Sequence, residues 1–271
     1  MNNFQQRVIS AIVLAAATLA LTWLGALPFR LFCAAIAALI FYEWTRMSRT
    51  GNGATLGFAP EGLILVFIGA LIAGLPVLWL LLLVAALTAI VAVAARLRGA
   101  AQWEASGLAY ASLSGFSLAY LRDDNHSGLT AILFLFAVVW ATDIAAYFVG
   151  RAVGGPKLAP SISPGKTQSG ALGGAVGGLV AGLLLAIATG AGNLTQLGLV
   201  ALVLSIVSQI GDLFESWVKR RHNCKDSGNL IPGHGGVMDR VDGLVAAAFA
   251  LYVIGWIVAG ADHPAMGLFP F

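Results

Sequence analysis

Nine apolar runs of near-spanning length follow one another along the sequence, at about residues 8–27, 29–45, 61–75, 76–95, 106–121, 129–150, 170–190, 195–215 and 243–261. A helix that crosses a bilayer needs roughly 20 apolar residues. In hydrocarbon the backbone must satisfy its own polar groups, so spanning segments are helices or closed barrels. Runs of this length therefore restrict the chain to a bundle of helices. The third and fifth are short for a full crossing and admit a half-helix or re-entrant element. Composition agrees: 10% of the 271 residues are charged and 59% are hydrophobic, where a soluble domain carries about 25% charged residues. Mean hydropathy is +0.89. The expected fold class is all-α, a polytopic integral membrane protein with about nine transmembrane helices. A cleaved signal peptide over residues 7–27 fits poorly, because no clear small-residue cleavage site follows the apolar stretch and further spans come after it.

Breaks between the runs fall at Pro28, Gly51 to Gly53, Gly74 to Pro76, Arg96 to Gly99, Asp123 to Ser127, Gly150 to Gly165 and Gly190 to Asn193. With the N-terminus placed inside, thirteen of the 15 Lys and Arg residues fall on the inner side, and Arg30 and Arg122 fall outside. That is a strong positive-inside asymmetry, and it puts the N-terminus in the cytoplasm. It also puts two charged stretches there, 151–169 and 216–242. The organisation expected is N-terminal transmembrane helices over 1–120 and a C-terminal transmembrane catalytic region over 121–271 that carries both stretches as loops. The basic pI near 9.1 is explained by this topology and does not call for nucleic acid. Cys33 lies in an apolar run, as a small buried residue does, and no disulfide framework is visible. Glycines from Gly170 to Gly182 sit inside an apolar run, where small residues allow close helix packing.

Residues 216–242 (SWVKRRHNCKDSGNLIPGHGGVMDRVD) concentrate the charge. Lys219, Arg220, Arg221, Lys225, Arg240 and His234 share the stretch with Asp226, Asp239 and Asp242. Glycines at 228, 233, 235 and 236 free the backbone for close approach and for amide-rich concavities that suit phosphate. The combination points to a polyanionic, metal-bound ligand. Acids inside spans are costly and usually face a protein interior or a wet cavity. Glu43 reads as a local helix pair with Arg46, and Asp143, with no cation within a turn, reads as functional. Asp212 and Glu215 share one helical face. Mg²⁺ takes one or two carboxylates plus phosphates and water, and Asp212 with Asp239 or Asp242 supplies such a set if the chain folds back. A zinc site from His222, Cys224 and His234 fits no common ligand spacing, and a basic patch for anionic lipid would need neither the glycines nor the acids. Ser163 to Thr167 (SPGKT) resembles a phosphate loop, but Pro160 stands where the Walker pattern requires glycine. What remains is a short turn that presents Lys166 with the hydroxyls of Ser163 and Thr167.

The stretch Ser216 to Asp242 resembles the signature of the phosphatidate cytidylyltransferases, the CDP-diglyceride synthases. The likeness runs through Ser216, Lys219-Arg220, Lys225-Asp226, Gly228, Pro232, His234 to Gly236, Asp239-Arg240 and Asp242. SQIGDLFES (208–216), SPGKTQSG (163–170) and the region of Asp143 resemble further blocks in the same order. The first 120 residues are similar as hydrophobic spans alone. Gln168-Ser169 stands where many relatives carry a larger or acidic residue.

The resemblance implies transfer of cytidylate from CTP to phosphatidate in the cytoplasmic membrane of a bacterium, with Mg²⁺ required and a monovalent cation as a further candidate. It implies a homodimer and puts the metal pair on Asp212 and Asp239. Lys166, Lys219, Arg220 and Lys225 would handle phosphate. Arg240, Ser163 and Thr167 join the expected substrate-binding residues, and Asp143 and Asp226 would support the metal or the cations. His234 would orient phosphate, shuttle a proton or structure its loop. Two other readings stay in view. A CDP-alcohol phosphotransferase needs a D-G-x₂-A-R run, which DRVDGLVAAAF lacks. A transporter for an anionic solute would suit Gly-broken spans and buried acids, but no internal repeat is visible.

Overall fold

The computed structural model describes residues 3–49, 55–57, 59–231 and 235–270. Among these, nine helices and one hairpin follow in order: α1 (Asn3–Leu24), α2 (Ala26–Ser48), α3 (Ala59–Ala73), α4 (Val77–Leu97), α5 (Trp103–Arg122), α6 (His126–Val153), strands β1 (Lys157–Ala159) and β2 (Ser163–Thr167), α7 (Gln168–Thr189), α8 (Leu194–Arg221) and α9 (Met238–Ala259). Six of them, α2, α4, α6, α7, α8 and α9, are long and apolar enough to cross a membrane. The distribution of side chains is that of a membrane protein. On α4, Leu80, Val84, Leu87 and Val91 are buried at helical spacing while Leu78, Trp79, Leu82, Ile90 and Leu97 are exposed. A helix apolar on every face has lipid, not water, on its outer side. The buried residues include polar ones, among them Ser114, Ser117, Thr142, Ser205, Ser208 and Glu215.

Three local features differ from the sequence expectations. The first break falls at Gly25, with φ 62° and ψ −152°, rather than at Pro28. Pro28 sits in the first turn of α2, where its missing N–H has no helical partner to lose. Residues 163–167 form a strand instead of a turn, pairing antiparallel with β1 so that Lys157 faces Thr167 and Ala159 faces Ser163. The charged stretch 216–242 is not one loop: α8 continues to Arg221 and α9 begins at Met238, so its first cations and last acids are helical.

The chain divides into two compact units, Met1–Ala119 with Arg221–Arg240, and Tyr120–Arg220 with Val241–Phe271. In the first, α2 supplies the core through Phe29, Cys33, Ile40, Phe41 and Trp44, all buried. Trp44 Nε1 donates to the Trp103 carbonyl at 2.7 Å, and Gly107 makes room, since a Cβ there would stand 2.3 Å from the Trp44 ring. Arg49, just past α2, donates to Glu104 at 2.7 Å and pairs with Glu61. Burial opposes its charge, but the bonds to and charges of Glu61 and Glu104 outweigh that and hold its pKa above the ordinary value.

In the second unit, a stripe of small residues on α7 sets the helix spacing. Gly170, Gly174, Gly178, Gly182 and Ala186 are buried one turn apart. A Cβ at Gly174 would stand 3.0 Å from the Thr142 carbonyl oxygen, and one at Gly182 would stand 2.7 Å from Ala201 Cβ. Close packing is thus the role of this glycine run, as expected from the sequence. Thr142 Oγ1 donates to the Val138 carbonyl at 2.7 Å and lies 2.7 Å from Ser205 Oγ, joining α6 to α8 beside that stripe.

Candidate active site

The second unit contains a cavity of about 710 Å³ between α6, the hairpin, the start of α7 and α8. Its α6 wall is Asp143, Ala146, Tyr147, Gly150, Arg151 and Gly154, which recur every three or four residues and so form one helical face. Gly154 and Gly155, with φ 67° and 97°, end α6 and turn the chain into the hairpin. The hairpin brings Lys157, Lys166 and Thr167 to the cavity, and α8 brings Gln209 and Asp212. Thr167 is also the N-cap of α7, accepting from Gly170 N at 3.1 Å. Gly150 and Gly170 permit this crossing, because a Cβ on Gly150 would meet Thr167 Oγ1 at 2.9 Å.

Lys166 forms an ion pair with Asp212 inside this cavity. Arg151 donates to the Tyr147 hydroxyl at 3.0 Å. At about 1.5 Å rise per residue, Asp143 stands roughly 26 Å from the start of α6 and Asp212 roughly 27 Å from the start of α8. The cavity therefore holds three cations and two carboxylates at the end of long helices, with the N-terminus of α7, Gly170 and Ala171, on its rim. Such a site attracts phosphate.

The other expected residues of this unit lie as follows. Glu215, although on the Asp212 face by spacing, is fully buried and pairs with Lys219 at 3.1 Å. Arg220 Nε donates to the Ile162 carbonyl at 3.2 Å, which ties the end of α8 to the hairpin. Ser163 pairs across from Ala159 in the hairpin. Asp242 Oδ1 accepts from Gly243 N at 2.7 Å.

In the first unit, Lys225, Asp226 and Arg240 are exposed, and His234 and Gly233 lie outside the described residues. Asp239 Oδ2 accepts from Ser227 N at 2.9 Å, Ser227 Oγ at 3.0 Å and Gly236 N at 2.9 Å. Glu43 is not the local partner of Arg46 expected from the sequence. It is 1% exposed, and its carboxylate accepts from Ser227 Oγ at 2.9 Å and from Val237 N and Met238 N, each at 2.8 Å. Arg46 instead donates to the Tyr42 hydroxyl at 2.9 Å. This changes the reading of the glycines. A Cβ at Gly228 would stand 2.8 Å from Glu43 Oε1, and one at Gly236 would stand 2.0 Å from Ser227 Oγ and 2.5 Å from Glu43 Oε2. The amide-rich concavity exists, and the anions that fill it are the protein's own.

The same unit has a cleft of about 620 Å³ whose lining includes Tyr42, Glu43, Arg46, His222, Cys224 and Asp226. His222 packs edge-on against Trp103 at 4.7 Å. Burial, then the Arg221 charge, hold the His222 pKa below its ordinary value.

Arg151, Lys157, Tyr147, Gln209 and Glu43 went unnoticed as site residues in the sequence. Tyr147 and Arg151 carry a readable signal, four and eight residues beyond Asp143 on the same face. Lys157 becomes a cavity residue through the strand pairing, and Glu43 through contacts to residues nearly two hundred positions away, which leave no local pattern.

The sequence matches the family described as Cytidylyltransferase family over residues 5–258. It is 49% identical over 284 residues, covering 100% of both chains, to a protein of Brucella suis biovar 1 named phosphatidate cytidylyltransferase. Proteins of the same name from Haemophilus influenzae and Bacillus subtilis are each 35% identical. The first match covers 90% of this chain and 95% of that protein, and the second 49% and 50%.

Proposed function

The chain belongs to the cytidylyltransferase family, and from that premise we propose that it transfers cytidylate from CTP to phosphatidate, giving CDP-diacylglycerol and pyrophosphate. The observation that carries the reading is the cavity of the second unit, where Lys166 pairs with Asp212 among Asp143, Arg151 and Lys157. A phosphate oxygen of phosphatidate attacks the α-phosphorus of CTP. That P–O bond forms as the bond to the β-phosphate oxygen breaks, and the electron pair leaves with pyrophosphate. The attacking phosphate is already ionised near neutral pH, so no strong general base is required. Both reactants are anions, so their mutual repulsion is the main barrier to lower. Phosphate oxygens compete with Asp212 for the Lys166 ammonium, and Lys157 and Arg151 add positive charge along the same wall.

The donor set suits magnesium. Asp143 and Asp212 bring hard carboxylate oxygens to the cavity, and Mg²⁺ takes one or two of these with phosphates and water. Among the described residues no group of three or more His, Cys, Asp or Glu is gathered for a metal, and an ion completed by substrate phosphate needs none. We assign it to Asp212 and Asp239 on the motif resemblance, with Asp143 in support. Bound there it would offset charge on the phosphates. Lys219, Arg220, Lys225, Arg240 and His234 are assigned to phosphate on the same grounds, with Ser163 and Thr167 as hairpin contacts and Asp226 in support.

The charge asymmetry of the sequence supports nine crossings, with the N-terminus and the site in the cytoplasm and the protein in the cell's inner membrane. On that reading α1, α3 and α5 cross as well. A homodimer is the assembly we assign, without nucleic acid. The test is direct: purified protein with labelled CTP, phosphatidate and Mg²⁺ yields a lipid-linked cytidylate and one pyrophosphate per turnover. No labelled lipid under any divalent metal refutes the activity.

A further inference from the structure

Four backbone amides and one hydroxyl in the 227–238 stretch converge on two carboxylates. Asp239 Oδ2 takes Ser227 N, Ser227 Oγ and Gly236 N at 2.9, 3.0 and 2.9 Å. Glu43 takes Ser227 Oγ, Val237 N and Met238 N at 2.9, 2.8 and 2.8 Å. Ser227 Oγ is therefore within hydrogen-bonding reach of both acids, yet it has one proton to give. Two anions sharing one hydroxyl hold together because the amides flank them on either side. Glu43 ties both ends of the stretch, Ser227 and Val237–Met238, to α2. Glu43 sits in the last third of that helix, 1% exposed, between the buried Phe41 and Trp44, so its position is fixed by core packing.

We propose that Glu43 is a positioning residue for Asp239. It fixes the backbone at Val237 and Met238, immediately before Asp239, and it holds the Ser227 hydroxyl that meets Asp239 Oδ2. The hold on Asp239 Oδ2 is thereby anchored to α2. The glycines at 228 and 236 are the steric condition for this, since a Cβ at either would fall within 2.8 Å of the Glu43 carboxylate. The inference deepens the proposed function and rests on its assignment of Asp239 to a divalent cation. Groups that orient a metal-binding carboxylate typically change metal affinity about 10- to 100-fold when removed.

The test uses full-length protein in detergent, without substrates, and follows Mn²⁺ binding by electron paramagnetic resonance alongside thermal unfolding. Glu43→Gln keeps the side-chain size but puts an amide NH₂ against backbone N–H donors. Ser227→Ala removes the shared hydroxyl and leaves the backbone intact. The expected result is an Mn²⁺ dissociation constant raised about tenfold or more in both, with the Mg²⁺ concentration for half-maximal activity raised in parallel and activity regained at high Mg²⁺. A structural role alone would lower thermal stability without moving metal affinity, and that result in Ser227→Ala overturns the proposal even if Glu43→Gln does not fold. Asp239→Asn separates the two levels. If it leaves Mn²⁺ binding unchanged, the metal assignment itself is wrong. If it weakens binding while Glu43→Gln and Ser227→Ala do not, the positioning role alone is wrong.

Discussion

Replacing Gly178 by alanine tests whether the small-residue stripe of α7 sets the geometry of the cavity. The added Cβ would stand 2.4 Å from Thr142 Oγ1 and 3.0 Å from both Ser205 Cβ and Oγ. Neither neighbour can turn away freely, because Thr142 Oγ1 is bonded to the Val138 carbonyl and to Ser205 Oγ, each at 2.7 Å. Relief requires α7 to move off α6 and α8. Overpacking of this kind costs about 1–3 kcal/mol, and loss of the buried Thr142–Ser205 hydrogen bond adds about 1 kcal/mol. Alanine recovers up to about 1 kcal/mol of helix propensity over glycine. The net expectation is a destabilisation of about 1–3 kcal/mol. At about 2–4 °C per kcal/mol for a chain of this size, tryptophan-monitored unfolding in detergent should shift down by about 2–12 °C. Because Thr142 adjoins Asp143 and α7 begins at the Thr167 cap, the shift should also lower kcat/KM for CTP. Gly69→Ala on α3 is the control, since nothing lies within 4 Å of the Cβ it would add, and it should leave stability unchanged or raise it. If Gly178→Ala unfolds at the same temperature as the parent and keeps full activity, the stripe does not set helix spacing.

Lys166→Met removes the cation paired with Asp212; a charge-assisted hydrogen bond to phosphate is worth about 1.5–3 kcal/mol, so kcat/KM for CTP should fall about 10- to 150-fold, read by steady-state kinetics at saturating phosphatidate. The pH dependence of stability should carry a contribution from His222. Its folded pKa lies below the ordinary 6.5, so the neutral form is favoured by the fold. The stability it contributes is present above the unfolded value and lost as pH falls through the lowered one, and His222→Gln should flatten that part of the acid limb in a thermal-unfolding series.

The helices were the legible part. Apolar length alone located all nine runs, because hydrocarbon leaves the backbone no alternative partner over such distances. Their ends were less so. α8 outruns its apolar stretch to Arg221, since a helix that leaves hydrocarbon can continue through charged residues. Pro28 misled as a break because a proline in the first turn interrupts nothing. Lys166 was recognisable from its motif, but its partner on α8 is made by the fold. The β1–β2 hairpin was invisible because a three-residue strand has too little alternation to register against the helical background.

The glycines show most directly what a sequence withholds. Gly178 and Gly236 are the same residue in similarly small-residue-rich surroundings, yet one admits a neighbouring helix and the other a carboxylate from α2. A glycine signals that something approaches closely and carries no information about what. In the 228–236 stretch the cations nearby suggested an external phosphate. The anion is instead Glu43, 184 residues before Ser227. A permanent internal carboxylate has a physical advantage there. It satisfies the amides at the start of α9 without a bound ligand, so the backbone leading to Asp239 is formed before any nucleotide arrives. On this argument the cost of ordering the stretch is met during folding, and binding energy from the nucleotide remains for the phosphates themselves.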